Sequence, residues 1–267
     1  MAARLKIQRP DTLFLFANTG REHPATLDFV DRCDRHFDLS VVWLEAVVSR
    51  GRVGIRHKTT DYFSAARNGE PFEAYIEKYG IPNKGSPQCT SRLKTEVLES
   101  YLRSVGYLRG KRLNYETAIG IRADEADRCS VHAERNKFIY PLVKWGVTKA
   151  KVLSFWRSQP FDLALPGEHY GNCVTCWKKS DRKLLTIAKN TPSDFDFEKR
   201  MELMYSGHKA STGRRVFYRG HRSAADLLQI ARTTEFSEYR DADVPQRDES
   251  MDVGGSCGES CEIGADE

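Results

Sequence analysis

The amino-acid sequence predicts an α/β fold that passes into a helical C-terminal region. Three observations carry this. Thr12 to Asn18 is a short apolar run of strand length, and Leu39 to Val47 is a second. Between them, Pro24 to Phe37 reads as a proline-led helix with Leu27, Val30, Cys33 and Phe37 on one face. Beyond Pro166, the patterns at Asp181 to Lys189, Phe195 to Tyr205 and Ala224 to Ala231 are all helical. Strand, helix and strand joined by short links form a right-handed parallel crossover.

Along the chain, Arg50 to Lys84 is polar and broken by Gly and Pro, with a short helix expected around Phe72 to Tyr79. Ser91 to Val105 carries Leu93, Val97, Leu98, Tyr101, Leu102 and Val105 on one stripe and stops at Gly106, the pattern of an amphipathic helix. Tyr115 to Ile121 is a further strand candidate, with Arg122 to Asp127 just past its end. Phe138 to Val143 is short and apolar, and Thr148 is placed to cap a helix through Arg157 that turns Val152, Phe155 and Trp156 inward. The expected organisation is an α/β region over 1–166, a helical region over 167–240 and an acidic, Gly-rich mobile tail over 241–267.

At 267 residues with 40% hydrophobic and 10% aromatic residues, the chain has the composition of an ordinary globular protein. Its mean hydropathy of -0.57 argues against membrane residence, and no signal pattern precedes the first apolar run, so a cytoplasmic location is expected. Charge is uneven. The tail from Asp241 holds nine acids and one base, leaving 41 bases against 28 acids, or +13, in residues 1–240. A basic body is suited to a polyanion such as a nucleotide or nucleic acid, and equally to plain solvation.

Seven cysteines, an odd number, make a disulfide scaffold a poor explanation and favour metal or redox use. The pair Cys173 and Cys176 in "YGNCVTCWKKS" turns two thiolates to one side, where they can grip one metal. Such a pair needs distant partners. Cys89 in "SPQCTSRLK" is the best of these, because it immediately precedes a helix whose N-terminal dipole stabilises a thiolate. Cys129 and His169 are the candidates for a fourth position. Three thiolates with an open position suit an iron-sulfur cluster, the same set plus a histidine suits structural zinc, and a dithiol redox pair is the third option. Cys33, on the apolar face of its helix, reads as core.

The strand ends form a second constellation. Asn18, Thr19 and Gly20 close one strand, while "GIRADEADR" places Arg122, Asp124, Glu125 and Arg128 after another, on a loop expected at the same sheet edge. There Arg122 is suited to gripping a phosphate or sulfate, or else belongs to a solvated charged turn. Two further stretches, "WKKSDRK" and "GHKASTGRRVFYRGHR", interleave bases with Trp177, Phe217 and Tyr218, as a nucleic-acid surface or an ordinary helix face would.

Taken in order, these pieces resemble the phosphoadenosine phosphosulfate (PAPS) reductase family of the adenine nucleotide alpha hydrolase superfamily, particularly its phage and bacterial members. The resemblance runs from Thr12 to Lys183. It rests on "FANTGREHPATLDFV", "CTSRLK", "GIRADEADR", "YPLVKWGVTKAKVLSFW" and "GNCVTCWKK". It implies a parallel, doubly wound sheet between helices. An adenylate, PAPS or ATP, would lie near Asn18, Thr19 and Gly20 with Arg122, Asp124 and Glu125 toward its anionic groups. Cys89, Cys173 and Cys176 would fall where cluster-bearing relatives, those with a 4Fe-4S centre, place ligands.

Two features depart from the family pattern. The loop of type Ser-Gly-Gly-Lys/Arg-x-Ser, which in the family follows a first strand, is absent, so the chain reads as beginning one strand and one loop late. Either the reading frame starts upstream or the phosphate grip is lost. The tail reads "GGSCGESCEIG" and offers Cys257 and Cys261 outside the family's Glu-Cys-Gly context, as a thiol for attack on sulfur and its resolving neighbour. The function the resemblance implies is PAPS reductase-like sulfur metabolism, with a thiol or thioredoxin-type electron donor as partner. Its rivals are an ATP-dependent nucleic-acid thiolation enzyme and a degenerate adenylate-binding accessory protein with structural zinc.

Overall fold

A computed structural model describes residues 1–267 except 52, 110–111, 211–212 and 242–267. The predicted crossover is present. Strand β1 (Leu15–Asn18) leads through helix α2 (Pro24–Phe37) to strand β2 (Val42–Val47), which pairs in parallel with β1 from Leu15 opposite Val42 to Asn18 opposite Glu45. Helix α2 starts where the sequence indicates, because Pro24 supplies a preset φ and the His23 side chain accepts the Ala25 N–H. Ahead of β1 lies a short helix α1 (Ala2–Gln8), whose Leu5 is buried.

Strand β3 (Arg56–Thr60) pairs antiparallel with β2, completing a three-stranded sheet in the order β1, β2, β3. The polar stretch "RHKTT" has no apolar alternation to announce it. Lys58 instead reaches the buried Glu45 carboxylate opposite it, at 2.9 Å. Helix α3 (Glu70–Tyr79) buries Phe72, Tyr75 and Ile76. The stripe from Ser91 is helical, but its first turn, Ser91–Thr95, is π-helical and only then becomes α4 (Glu96–Ser104).

The remaining strands are two-residue pieces. Strands β4 (Leu108–Arg109) and β5 (Arg112–Leu113) make an antiparallel hairpin, while β6 (Thr117–Ala118) and β7 (Phe138–Ile139) pair in parallel. The described residues thus form a mixed α/β protein with three small sheets. Helix α5 (Pro141–Lys144) follows β7, and α6 (Lys149–Arg157) follows Thr148. Thr148 does not cap α6 through its side chain, and α6 buries none of its residues fully. Phe155, expected to face inward, is 42% exposed and stacks on Phe37 at the edge of an aromatic group with Phe29, Trp156 and Phe161.

Helices α7 (Asp181–Asn190), α8 (Asp196–Tyr205) and α9 (Ala224–Thr233) occupy the predicted C-terminal segments. Ser180 caps α7, and a reciprocal Ser223–Asp226 capping box starts α9. One buried core joins the two regions. Leu44, Tyr75, Ile76 and Val97 pack with Ile187, Phe195, Met201 and Leu227 in a single cluster. Burying side chains of this size stabilises the fold by roughly 1.5–3 kcal/mol each. No helix among the described residues is long and apolar enough to cross a membrane.

Candidate functional site

The Asn-Thr-Gly junction at the end of β1 is a buried bracket. The Asn18 amide donates to Glu45 Oε1 at 2.7 Å and to the Ala66 carbonyl at 2.9 Å, and Asn18 Oδ1 accepts the Gly20 N–H at 3.1 Å. Asn18 is fully buried and its side chain is committed inside the protein. The backbone N–H of Thr19 and its hydroxyl both donate to Glu22 Oε2, at 3.0 and 2.8 Å. Lys94 stands 3.5 Å from the other oxygen of that carboxylate. Gly20 has a φ of +75°, and a Cβ there would meet the backbone of Gly69 at 3.0 Å, so both conformation and space demand glycine.

Onto this bracket the chain folds the Cys-x-x-Cys turn. The Val174 N–H donates to the Arg21 carbonyl, Cys173 forms a bridge pair with Glu22, and the Cys176 N–H closes the turn on the Cys173 carbonyl at 3.2 Å. Lys179 holds the turn by donating to the carbonyls of Gly171 and Cys173. The Thr19 hydroxyl lies 3.7 Å from the Cys173 sulfur. Cys89, just ahead of the π-helical turn, joins Cys173 and Cys176 in lining one small cavity of about 30 Å³, together with Thr19, Lys94 and Trp177. The three cysteines chosen as ligands from sequence therefore meet at one pocket.

A void of that size holds one or two waters, since a single water needs roughly 10–15 Å³. The donor chemistry suits a thiolate-bound metal. With the side chains where they stand, however, no group of three or more His, Cys, Asp or Glu among the described residues is spaced to hold an ion.

No family model matches the chain, and no solved structure does. It is 30% identical over 269 aligned residues to the uncharacterized nin region protein ORF290 of Escherichia phage lambda, covering 95% of this chain and 86% of that protein. The chain belongs to the family of that phage protein. It is also 29% identical over 138 residues to the uncharacterized protein MJ0973 of Methanocaldococcus jannaschii, across 51% of this chain and 28% of that one.

In this member of the ORF290 family, the charged loop closes on itself. Arg122 pairs with Asp124 and Glu125 at 3.1 Å each, Glu125 also accepts from Arg128, and Asp124 accepts the Lys149 N–H at the start of α6. Arg122 does not line the cysteine pocket. Neither do the two fourth-ligand candidates. Burial raises the pKa of the Cys129 thiol, with Asp127 adding to it. His169 is buried with neither ring nitrogen hydrogen-bonded, and desolvation lowers its pKa. Cys33, read as core, is a partly buried thiol pushed up to about 11 by desolvation. Cys257 and Cys261 lie outside the described residues.

Sequence reasoning missed the wall behind the pocket. Arg21 donates to Glu198, the Asp194 carbonyl and Thr175, and its guanidinium lies 4.5 Å over the Phe197 ring. The Glu198 carboxyl accepts from Thr175 at 2.6 Å, and burial raises its pKa against the pull of Arg21. With 177 positions between Arg21 and Glu198, no local pattern could show the pair. Glu22 and Lys94 were within reach, since both stand inside the quoted motifs.

Proposed function

We propose that this chain is the core of a PAPS reductase-like sulfur-metabolism enzyme that binds an adenylate at the strand ends and handles sulfur at the thiol pocket. The observation that carries this reading is the convergence of Cys89, Cys173 and Cys176 on one cavity against Thr19. Three thiols from two distant segments, collected beside the polar end of a β-α crossover, are arranged for sulfur or metal chemistry rather than for packing alone. The basic body of the chain suits an anionic substrate. In this reading the Asn18 bracket shapes the junction, leaving ligand contact to the neighbouring backbone and to side chains beyond it.

Cys89, Cys173 and Cys176 would hold the bound metal, whose chemistry would be thiolate-ligated electron or sulfide transfer in an iron-sulfur centre, or structural bracing in a zinc site. The finer fold assignment, a parallel doubly wound sheet, goes with the same proposal and is supported by the β1–α2–β2 crossover and the parallel β6–β7 pair.

The test is anaerobic purification with metal and sulfide analysis, alongside calorimetry with PAPS and with ATP. Metal retained by the native chain and lost in Cys176→Ser, with micromolar to millimolar affinity for one of the nucleotides, is the expected result. A metal-free protein that binds neither nucleotide would sink the reading.

A further inference from the structure

Three stretches of chain that meet at the thiol pocket carry no acid. Residues 82–95 supply Cys89 and Lys94 to its wall, 171–180 supply Cys173 and Trp177, and 207–222 supply Phe217. Together they hold ten Lys or Arg and no Asp or Glu, in a chain where about one residue in seven is acidic. The fold ties these stretches to one another. The Asn83 amide donates to the Val216 carbonyl at 2.9 Å, Arg215 to the Ile81 carbonyl at 2.6 Å, Arg219 to the Lys178 carbonyl at 3.1 Å and the Tyr218 hydroxyl to the Thr175 carbonyl at 3.2 Å. Their bases are thereby gathered into one rim around the pocket.

Carbonyl partners brace the rim without cancelling its charge. Three of the ten bases reach carboxylates outside the stretches, Arg92 at Glu96, Lys94 at Glu22 and Arg222 at Asp181. Lys84, Lys209 and Arg214 are exposed and form no ion pair among the described residues. Exposed bases elsewhere, such as Arg9, Arg50 and Arg200, sit against Glu116, Glu77 and Glu73. Uncompensated charge of one sign around a recess draws in an anion.

Two observations give the class of that anion. Lys84, Lys209 and Arg214 stand on turns and loops, so they do not form the row along a helix that enters a duplex groove. The aromatic residues interleaved with the bases, Trp177, Phe217 and Tyr218, are 4% exposed or less, so they pack inward and leave phosphate contact as the means of grip. A single-stranded chain presents one phosphate per nucleotide, a regular supply that bases on separate segments can engage together, whereas one nucleotide offers a single cluster.

We propose that this rim docks single-stranded nucleic acid by its phosphate backbone, without reading its sequence, and lays it across the thiol pocket. The docking adds a partner to the pocket and needs neither an adenylate nor a metal there.

The experiment is fluorescence anisotropy of the full chain with a labelled oligothymidylate of about 20 nucleotides, longer than one typical site. Micromolar affinity is expected at about 50 mM salt, weakening about twentyfold by about 200 mM if three phosphates are neutralised. The triple variant Lys84→Ala, Lys209→Ala, Arg214→Ala should bind at least tenfold more weakly and lose most of the salt dependence, with unchanged thermal unfolding. Lys151→Ala, on α6 outside the rim, should bind as the wild type does. Bound oligonucleotide should also slow alkylation of Cys89 and Cys176 by iodoacetamide several-fold and leave Cys129 unaffected. Absence of binding at low salt, or wild-type affinity in the triple variant, overturns the proposal. Equal affinity for polyglutamate would assign the rim to acidic peptide instead, tighter binding of a duplex of the same length would refute the single-stranded assignment, and unchanged alkylation would place the strand away from the pocket.

Discussion

The hydroxyl of Thr19 meets the sulfur of Cys173 at 3.7 Å, across 154 positions of chain. Thr19 has one hydroxyl proton, and Glu22 takes it at 2.8 Å, so the hydroxyl meets Cys173 as the acceptor of the thiol. A relay runs from Cys173 through Thr19 and Glu22 to Lys94. It couples the end of the first strand to the Cys-x-x-Cys turn.

Replacing Thr19 with Val removes that relay and leaves the Arg21 N–H, which points at the hydroxyl at 3.3 Å, without its acceptor. The expected cost is about 1–3 kcal/mol in urea unfolding, with faster alkylation of Cys173 by iodoacetamide. Thr19→Ser should recover most of both. Equal behaviour of the Val and wild-type proteins would show that the hydroxyl does not hold the turn.

Much of this arrangement was legible because it rests on local patterns. The Pro24 start of α2, the serine caps of α7 and α9 and the apolar stripe of α4 are written in adjacent residues, and each element appears where its pattern lies. Cys89, Cys173 and Cys176 could be singled out for their residue type and the short Cys-x-x-Cys spacing. What stayed hidden is long-range. Strand β3 is held by pairing to β2 rather than by its own hydrophobicity, and Asn18 looks ligand-facing in sequence because its partners, Glu45 and Ala66, are distant. Arg122 is the opposite case. Its acidic partners are its own neighbours, and they take up its charge.

The Arg21–Glu198 pair is buried, with side-chain exposures of 14% and 6%. Glu198→Ala strands a guanidinium in the interior and is expected to cost about 3–5 kcal/mol. Combining it with Arg21→Met should cost less than the sum of the single changes, because the second change removes the stranded charge. Additive losses in a double-mutant cycle would mean that the two groups do not interact.

Two glycines separate backbone strain from crowding. Gly69 and Gly106 have φ values of +84° and +83°, but a Cβ at Gly69 would sit 2.4 Å from the Phe197 ring, while nothing lies within 4 Å at Gly106. Gly106→Ala should therefore cost about 1–2 kcal/mol for conformation alone. Gly69→Ala adds overpacking of roughly 1–3 kcal/mol and should disturb the Arg21–Phe197 stack. Thermal unfolding of the two variants reads the difference directly, and equal losses would count against the close approach of Gly69 and Phe197.

Glu202 gives the chain a pH dependence of definite sign. Burial pushes its carboxyl up to about 7, against the hydrogen bonds it accepts from the Phe217 and Ala224 N–H groups. The folded state therefore keeps this proton over a range where the unfolded chain, near the ordinary glutamate value, has released it. With more protons bound in the folded state, stability contributed by Glu202 is full below about pH 4.5 and falls as pH rises toward 7, by an amount on the order of 3 kcal/mol. Above that range both states are ionised and the loss is complete. Histidines whose pKa is lowered by burial, His23, His57 and His169, contribute the opposite slope, so the measurement is the difference between wild type and Glu202→Gln. The glutamine variant sacrifices one acceptor for the two N–H groups and should be less stable at pH 4.5, with the gap narrowing toward pH 8. A gap that stays constant with pH would place the Glu202 carboxyl at its ordinary value in the folded protein.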